Sequence, residues 1–166
     1  AQEQTTVSGK IKKGRGKMIY LQHNIGNKVV YVDSSKINFF GRFKLTTQVA
    51  SDDFYQVTID KKENLLLLLK AGEKVTVKSS NDFTNKNYRV TGSEDSKLIQ
   101  EFIKVKTNKE ISKDSLNNYA VSFIEKNASS LVVFIALNDV KDAKKSIIAA
   151  EKGIRQSYPN SNYYKS

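Results

Sequence analysis

The chain has 166 residues, 39% of them hydrophobic, with 28 Lys and Arg against 17 Asp and Glu, a formal net charge of +11. It has no cysteine and a single histidine, His23, which excludes disulfides, thiolate chemistry and cysteine zinc sites and leaves almost no basis for a metal site or a histidine triad. No apolar run approaches the roughly 20 residues of a membrane-crossing helix, and the basic balance favours anionic partners or, more simply, a soluble lysine-rich surface.

Residues 5–92 read as short strands separated by turns. Thr6-Val7-Ser8-Gly9-Lys10-Ile11 gives the first strand and Gly14-Arg15-Gly16 a flexible turn. Met18 to Leu21 follows, then a loop at Asn24 to Asn27, and Val29 to Val32 is β-branched and aromatic. Asp33-Ser34-Ser35 reads as a turn. Gly41 to Thr46 and Tyr55 to Asp60 alternate apolar with polar, and Tyr88 to Gly92 closes the series. The densest apolar stretch, Leu65 to Leu69, does not alternate, so a strand there has both faces covered. It reads as an inner strand turning back through Ala71-Gly72-Glu73 into a half-exposed hairpin partner around Val75 and Val77.

At Ser93 the pattern becomes helical. Ser93-Glu94-Asp95 supplies an N-cap and first-turn acids, and Leu98, Ile99, Phe102 and Ile103 form an apolar stripe. Asp114 or Ser115 is the expected cap of a second helix carrying Leu116, Tyr119, Ala120, Phe123 and Ile124. Asn127-Ala128-Ser129-Ser130 breaks it; the same residues fit a glycosylation pattern, but Ser caps account for them. Leu131 to Leu137, apolar all round, reads as a short buried helix, with a strand as the alternative. A last long helix is expected from Asp139, with Val140, Ala143, Ile147, Ile148 and Ile154 inward, ending at Pro159. The order of elements predicts an α+β fold: an antiparallel β-sandwich or barrel of about eight short strands over residues 5–92, then three or four helices in a connector region over 93–166.

The candidate site is the charge cluster Lys10, Lys12, Lys13, Arg15 and Lys17 around a glycine turn. It suits an anion-binding finger for phosphates or acidic headgroups, but a hairpin whose solvated lysines protect an edge strand is the preferred reading. Aromatic platforms are not interleaved with these lysines, which speaks against nucleic acid, and the G-x4-G-K-[ST] phosphate loop is not met. His23 is expected on the surface or in a loop, and Asp52, Asp53 and Asp60 serve turns rather than a carboxylate pair. No nucleophile, base and orienting group can be assembled, and no residue set calls for a cofactor.

Several segments in order resemble one known arrangement. These are Val7 to Ile11 with Ile19-Tyr20-Leu21, Val32-Asp33-Ser34 with Gly41 to Leu45, Leu69 to Val75, Val90-Thr91-Gly92-Ser93, and Phe123 to Asn127 with Ser129 to Val132. Together they resemble the N-terminal domain of unknown function that precedes a thioredoxin-like domain in periplasmic thiol-disulfide interchange lipoproteins of Gram-negative bacteria. Ala128 stands where that family commonly has proline. The resemblance implies a non-catalytic accessory or interaction domain, exported to the periplasm or cell envelope. Its implied partner is a C-terminal thioredoxin-like domain or another envelope protein. In that family, sequence like Tyr158 to Tyr163 leads into the domain with the paired cysteines, so the resemblance implies no redox chemistry for residues 1–166. Ala1-Gln2-Glu3 suits trimming after an export signal. A stand-alone basic module for nucleic acid or a membrane surface is the alternative.

Overall fold

In the computed structural model, which describes residues 3–80, 88–141 and 151–154, the alternating segments form eight strands. They are β1 (Gln4–Ile11), β2 (Met18–Ile25), β3 (Lys28–Lys36), β4 (Arg42–Gln48), β5 (Asp53–Ile59), β6 (Glu63–Leu69), β7 (Lys74–Ser79) and β8 (Arg89–Thr91). Two helices follow, α1 (Glu94–Lys106) and α2 (Lys113–Lys126), and the chain divides into two units, Ala1–Lys97 and Leu98–Ser166.

The first unit is a sandwich of two four-stranded sheets, ordered β4-β1-β7-β8 and β3-β2-β5-β6. Val7, Ile11, Leu45, Val75 and Val77 of the first sheet share a buried core with Ile19, Leu21, Val57, Leu65 and Leu67 of the second. The pairing is antiparallel throughout except for β1 and β7, which run parallel.

The leucine run is strand β6, and both of its faces are covered. Leu65, Leu67 and Leu69 belong to the sandwich core, while Leu68 is fully buried outside that cluster. The expected inner position and the expected hairpin are corrected, however. Strand β6 is the edge of its sheet, and β7 belongs to the other sheet, so residues 70–73 form an arch between sheets. An unbroken apolar run reports that two faces are covered without reporting by what. At the strand's open edge, the Leu68 N–H donates to Ser96 Oγ at 3.1 Å, and the Ser93 and Ser96 hydroxyls lie 3.2 and 3.1 Å from the Leu68 carbonyl. At that residue the edge is closed to pairing with another chain. Ser93 also caps α1, accepting from the Ser96 N–H at 3.2 Å.

The arch is fastened to β1. Thr5, fully buried, donates its hydroxyl to the Lys70 carbonyl at 2.7 Å and accepts from the Gly72 N–H at 3.1 Å. The Thr6 N–H reaches the Glu73 carbonyl at 2.9 Å. These bonds set Thr6 opposite Lys74 and so fix the parallel register up to Ile11 opposite Ser79. Gly9 is required there, because a Cβ on it would lie 1.7 Å from the Val77 carbonyl oxygen.

Three turns differ from expectation. Gly14-Arg15-Gly16 is pinned rather than flexible: the Gly16 N–H donates to the Ile37 carbonyl and the Ile37 N–H to the Lys17 carbonyl, both at 2.9 Å. The Asn24 to Asn27 loop contracts to two residues, since Ile25 pairs with Lys28, with Gly26 at φ 61°. Asp33-Ser34-Ser35 is strand, not turn. It follows a bulge at which Leu21 faces Asp33 and Gln22 faces Tyr31, and Asp33 accepts from the Thr46 N–H of β4 at 2.8 Å.

In the second unit Phe102 packs on Phe123 with ring centroids 5.0 Å apart, and Ala120, Phe123 and Ile124 are buried along α2. The cap of α2 is Ser112, not Asp114 or Ser115; its hydroxyl accepts from the Ser115 N–H at 3.1 Å. Leu131–Ile135 and Leu137–Asp139 are 3-10 turns, so Asp139 ends a short helix instead of starting a long one. Residues 151–154 are helical with Ile154 buried, as is Val140. Ala143, Ile147, Ile148 and Pro159 lie outside the described residues.

The Thr5 clamp can be measured by substitution. Thr5→Val keeps the shape but leaves the Gly72 N–H and one bond of the Lys70 carbonyl unmade, and should cost about 1–3 kcal/mol in denaturant unfolding. A loss within a few tenths of a kcal/mol would show that the arch does not depend on this hydroxyl.

Candidate functional site

Because β1 is fixed between β4 and β7, its outward residues line up with theirs. Val7, Ile11, Phe43, Leu45, Val75, Val77 and Val90 face the core, so the alternate positions face outward. One register row crosses all four strands: Arg42 faces Lys10, Lys10 faces Lys78, and Lys78 faces Arg89. All four are exposed. The next row is Lys44, Ser8, Thr76 and Thr91, and beyond it lie Thr46, Thr6 and Lys74. Every outward side chain in these three rows is a cation or a hydroxyl. Among the described residues, none of these cations is in an ion pair.

At the Ile11 end of the sheet, Lys10, Lys12, Lys78, Ser79, Ser80 and Arg89 line an open groove of ≈ 380 Å³. Residues 81–87 lie outside the described residues. The sequence cluster is thus split. Lys10 and Lys12 join the groove, Lys13 is exposed, Lys17 is half-buried, and Arg15 turns to the next loop.

That next loop is Asn38-Phe39-Phe40-Gly41. The Gly41 N–H donates to the Asn38 carbonyl at 2.9 Å, and the Asn38 side chain accepts from the Phe40 and Arg42 amides, both at 2.9 Å. This Asx arrangement fixes Phe39 and Phe40 at the corners of a turn, where they are 65% and 70% exposed. Their rings meet edge to face at 5.5 Å, and the Arg15 guanidinium sits 3.8 Å from the Phe39 centroid. No aromatic residue is interleaved with the lysines in sequence, but the fold brings these two beside Arg15. They come from a segment more than 20 residues away, as the Ile11 N–H bond to the Gly41 carbonyl at 2.8 Å shows.

Acids gather at the opposite end of the first sheet. Lys70 pairs with Asp95 at 3.4 Å; burial acts to lower its pKa, but the Asp95 and Asp52 carboxylates hold it above the ordinary lysine value. Glu73 accepts from the Lys70 amide at 2.9 Å, and burial raises its carboxyl pKa. Among the described residues of the first sheet, the paired charges thus lie at its arch end and the unpaired row at the other.

His23 is not a loop histidine. It lies on β2, half-buried, with Nε2 2.8 Å from Asp53 and its ring stacked on Tyr55 at 4.2 Å. Burial and then the Asp53 charge raise the Tyr55 pKa. Asp53 thus serves a side-chain pair, while Asp60 does turn work: it stands at φ 51° beside Lys61 at φ 60°, and its carboxylate accepts from the Met18 amide at 3.1 Å. Lys61 tops the rings of Tyr31 and Tyr20 at 4.6 and 5.0 Å. Among the described residues no group of three or more His, Asp or Glu could hold a metal ion, and no helix is long and apolar enough to cross a membrane.

Arg42, Lys44, Lys74, Lys78 and Arg89 were not singled out by sequence. The available signal was the alternation itself: in β1, β4, β7 and β8 nearly every outward position holds Lys, Arg, Ser or Thr.

A family model described as Domain of unknown function (DUF4369) matches residues 5–99, more than half of the chain. No curated protein matches. Among solved structures, that of a 9R-lipoxygenase from Cyanothece PCC8801 is similar at 8% identity, covering 81% of this chain and 30% of that one, with a TM-score of 0.28. The chain thus spans about a third of that protein, and a likeness at this score carries no argument.

The cation row has an energetic consequence. Like charges directly opposite on neighbouring strands destabilise a sheet, so Lys78→Thr should raise stability by about 0.2–1 kcal/mol at low salt, the gain shrinking as salt screens the row. A destabilised Lys78→Thr protein would mean that the lysine is held by a structural partner.

Proposed function

We propose that this chain, which belongs to the DUF4369 family, is a non-catalytic interaction module whose first sheet engages an anionic partner. The observation that carries the reading is the row Arg42, Lys10, Lys78 and Arg89, extended by Lys44 and Lys74 and interleaved with Ser and Thr, with no acid among them. A face of cations held in a fixed register, without ion pairs among the described residues, is costly to the fold, and binding of a polyanion is what offsets that cost. The hydroxyls add hydrogen-bond donors between the charges. The non-catalytic part of the reading rests on the absence of cysteine and on the one histidine being engaged by Asp53 and Tyr55.

A second reading concerns setting: an accessory domain of the periplasm or cell envelope whose partner is a thioredoxin-like domain in the same polypeptide, or another envelope protein. It is supported by the order of strand and turn segments from Val7 to Ser93 that resembles the N-terminal domains of thiol-disulfide interchange lipoproteins. A coding sequence that continues beyond Ser166 without a C-x-x-C would remove it.

Binding to a random-sequence DNA duplex, used simply as a phosphate polyanion, tests the first reading. Affinity should fall steeply with salt, and replacing Lys10, Lys78 and Arg89 together with Gln should lower the log–log slope by about 0.9 for each phosphate no longer engaged. An unchanged slope and affinity would show that the face is not the binding surface.

A further inference from the structure

We infer that the anionic partner is a lipid bilayer surface, and that Phe39 and Phe40 are the side chains that enter it. The inference rests on the reading of the first sheet as an anion-binding face and names what that face meets. Its own observation is the Asn38 to Gly41 turn. Two adjacent phenylalanines stand at its corners, 65% and 70% exposed, on a backbone fixed by the Asn38 side chain and the Gly41 bond. A solvent-facing turn normally carries polar residues, and an apolar pair held rigidly outward lowers the ordering cost of insertion. Behind the pair the cations are arranged by the fold. Arg15 lies on Phe39, Lys36 lines the same hollow, and Arg42 begins β4 one residue after the turn. Arg42 in turn opens the row through Lys10 and Lys78 to Arg89. Asp60 lies at this end with its carboxylate bonded to the Met18 amide, and Lys61 and Lys62 follow it.

This geometry fits a bilayer better than a nucleic acid strand. Stacking a base needs an open ring face, yet Phe39 already carries the Arg15 guanidinium on one face and the edge contact with Phe40. It also fits better than a protein groove-binder, because the pair projects from a turn with cations beside it. Two phenyl groups placed below the headgroup level, with Lys and Arg at the level of the lipid phosphates, satisfy both kinds of side chain at once.

Co-sedimentation with vesicles of phosphatidylcholine alone and of phosphatidylcholine mixed with anionic phosphatidylglycerol, beside DNA-duplex binding, tests this. The protein should bind the anionic vesicles far more tightly than the neutral ones. The double substitution Phe39→Ser with Phe40→Ser should weaken anionic-vesicle binding by about ten- to a hundredfold per phenylalanine while leaving duplex binding unchanged. The chain has no tryptophan, so Phe40→Trp places a single reporter at the tip. Its emission should shift to the blue and be quenched by lipid-embedded quenchers on anionic vesicles. Duplex binding without vesicle binding, a serine variant that binds vesicles like the unsubstituted protein, or a tryptophan unshifted by vesicles would each overturn the bilayer assignment while leaving the anion-binding face standing. Binding to neither duplex nor vesicle would overturn both.

Discussion

The Thr5 hydroxyl, shared between the Lys70 carbonyl and the Gly72 amide, fastens the arch between the two sheets to the first strand. From that point β7 runs parallel to β1, with Gly9 small enough to let the strands close over the Val77 carbonyl. A side-chain period of two means that a slip by one residue would send the outward set into the core. The parallel register therefore does two things: it brings Val7 beside Val75 and Ile11 beside Ser79, and it brings Lys10 beside Lys78. Core and charged face are opposite sides of a single alignment.

The charges are also sorted lengthwise. Lys70, Glu73, Asp52 and Asp95 interact at the arch end of the first sheet, while Lys10, Lys12, Lys78 and Arg89 crowd the groove at the other. Favourable pairing is thus concentrated where the arch needs holding, and among the described residues the cations at the far end are in no ion pair. That end also holds the exposed aromatic turn, so the two least comfortable features of the unit in water, a row of like charges and a pair of uncovered phenyl rings, are neighbours. A single anionic interface with an apolar interior relieves both.

Most of the strands were legible, because a half-buried strand writes its period into the chain: Val7, Val75 and Val77 alternate with polar neighbours, and the switch to helix at Ser93 is marked by its cap. Pairing was not legible. Leu65 to Leu69 reported two covered faces but could not show that the Ser93 and Ser96 hydroxyls take up the Leu68 backbone groups at an open edge, and so the edge strand passed for an inner one. Asp33 passed for a turn residue because its side chain does bond the Ser34 amide, as a turn aspartate would. The basic face was only half visible. Lys10 to Lys17 stand out as a run, whereas Arg42, Lys78 and Arg89 reach the same row only through register. Phe39 and Phe40 carried an overlooked signal, two apolar residues between the turn-formers Asn38 and Gly41.

The proposed binding surface is one end of the first sheet, cation row and aromatic tip together. Amide chemical-shift mapping of the isotopically labelled protein on titration with anionic bicelles probes that surface residue by residue. Shifts should concentrate at Lys10, Lys78, Arg89, Arg42 and the Asn38 to Gly41 turn, and salt should abolish them. Shifts centred instead on the exposed apolar residues of the β2–β3 hairpin, Ile25, Val29 and Val30, or insensitive to salt, would contradict it.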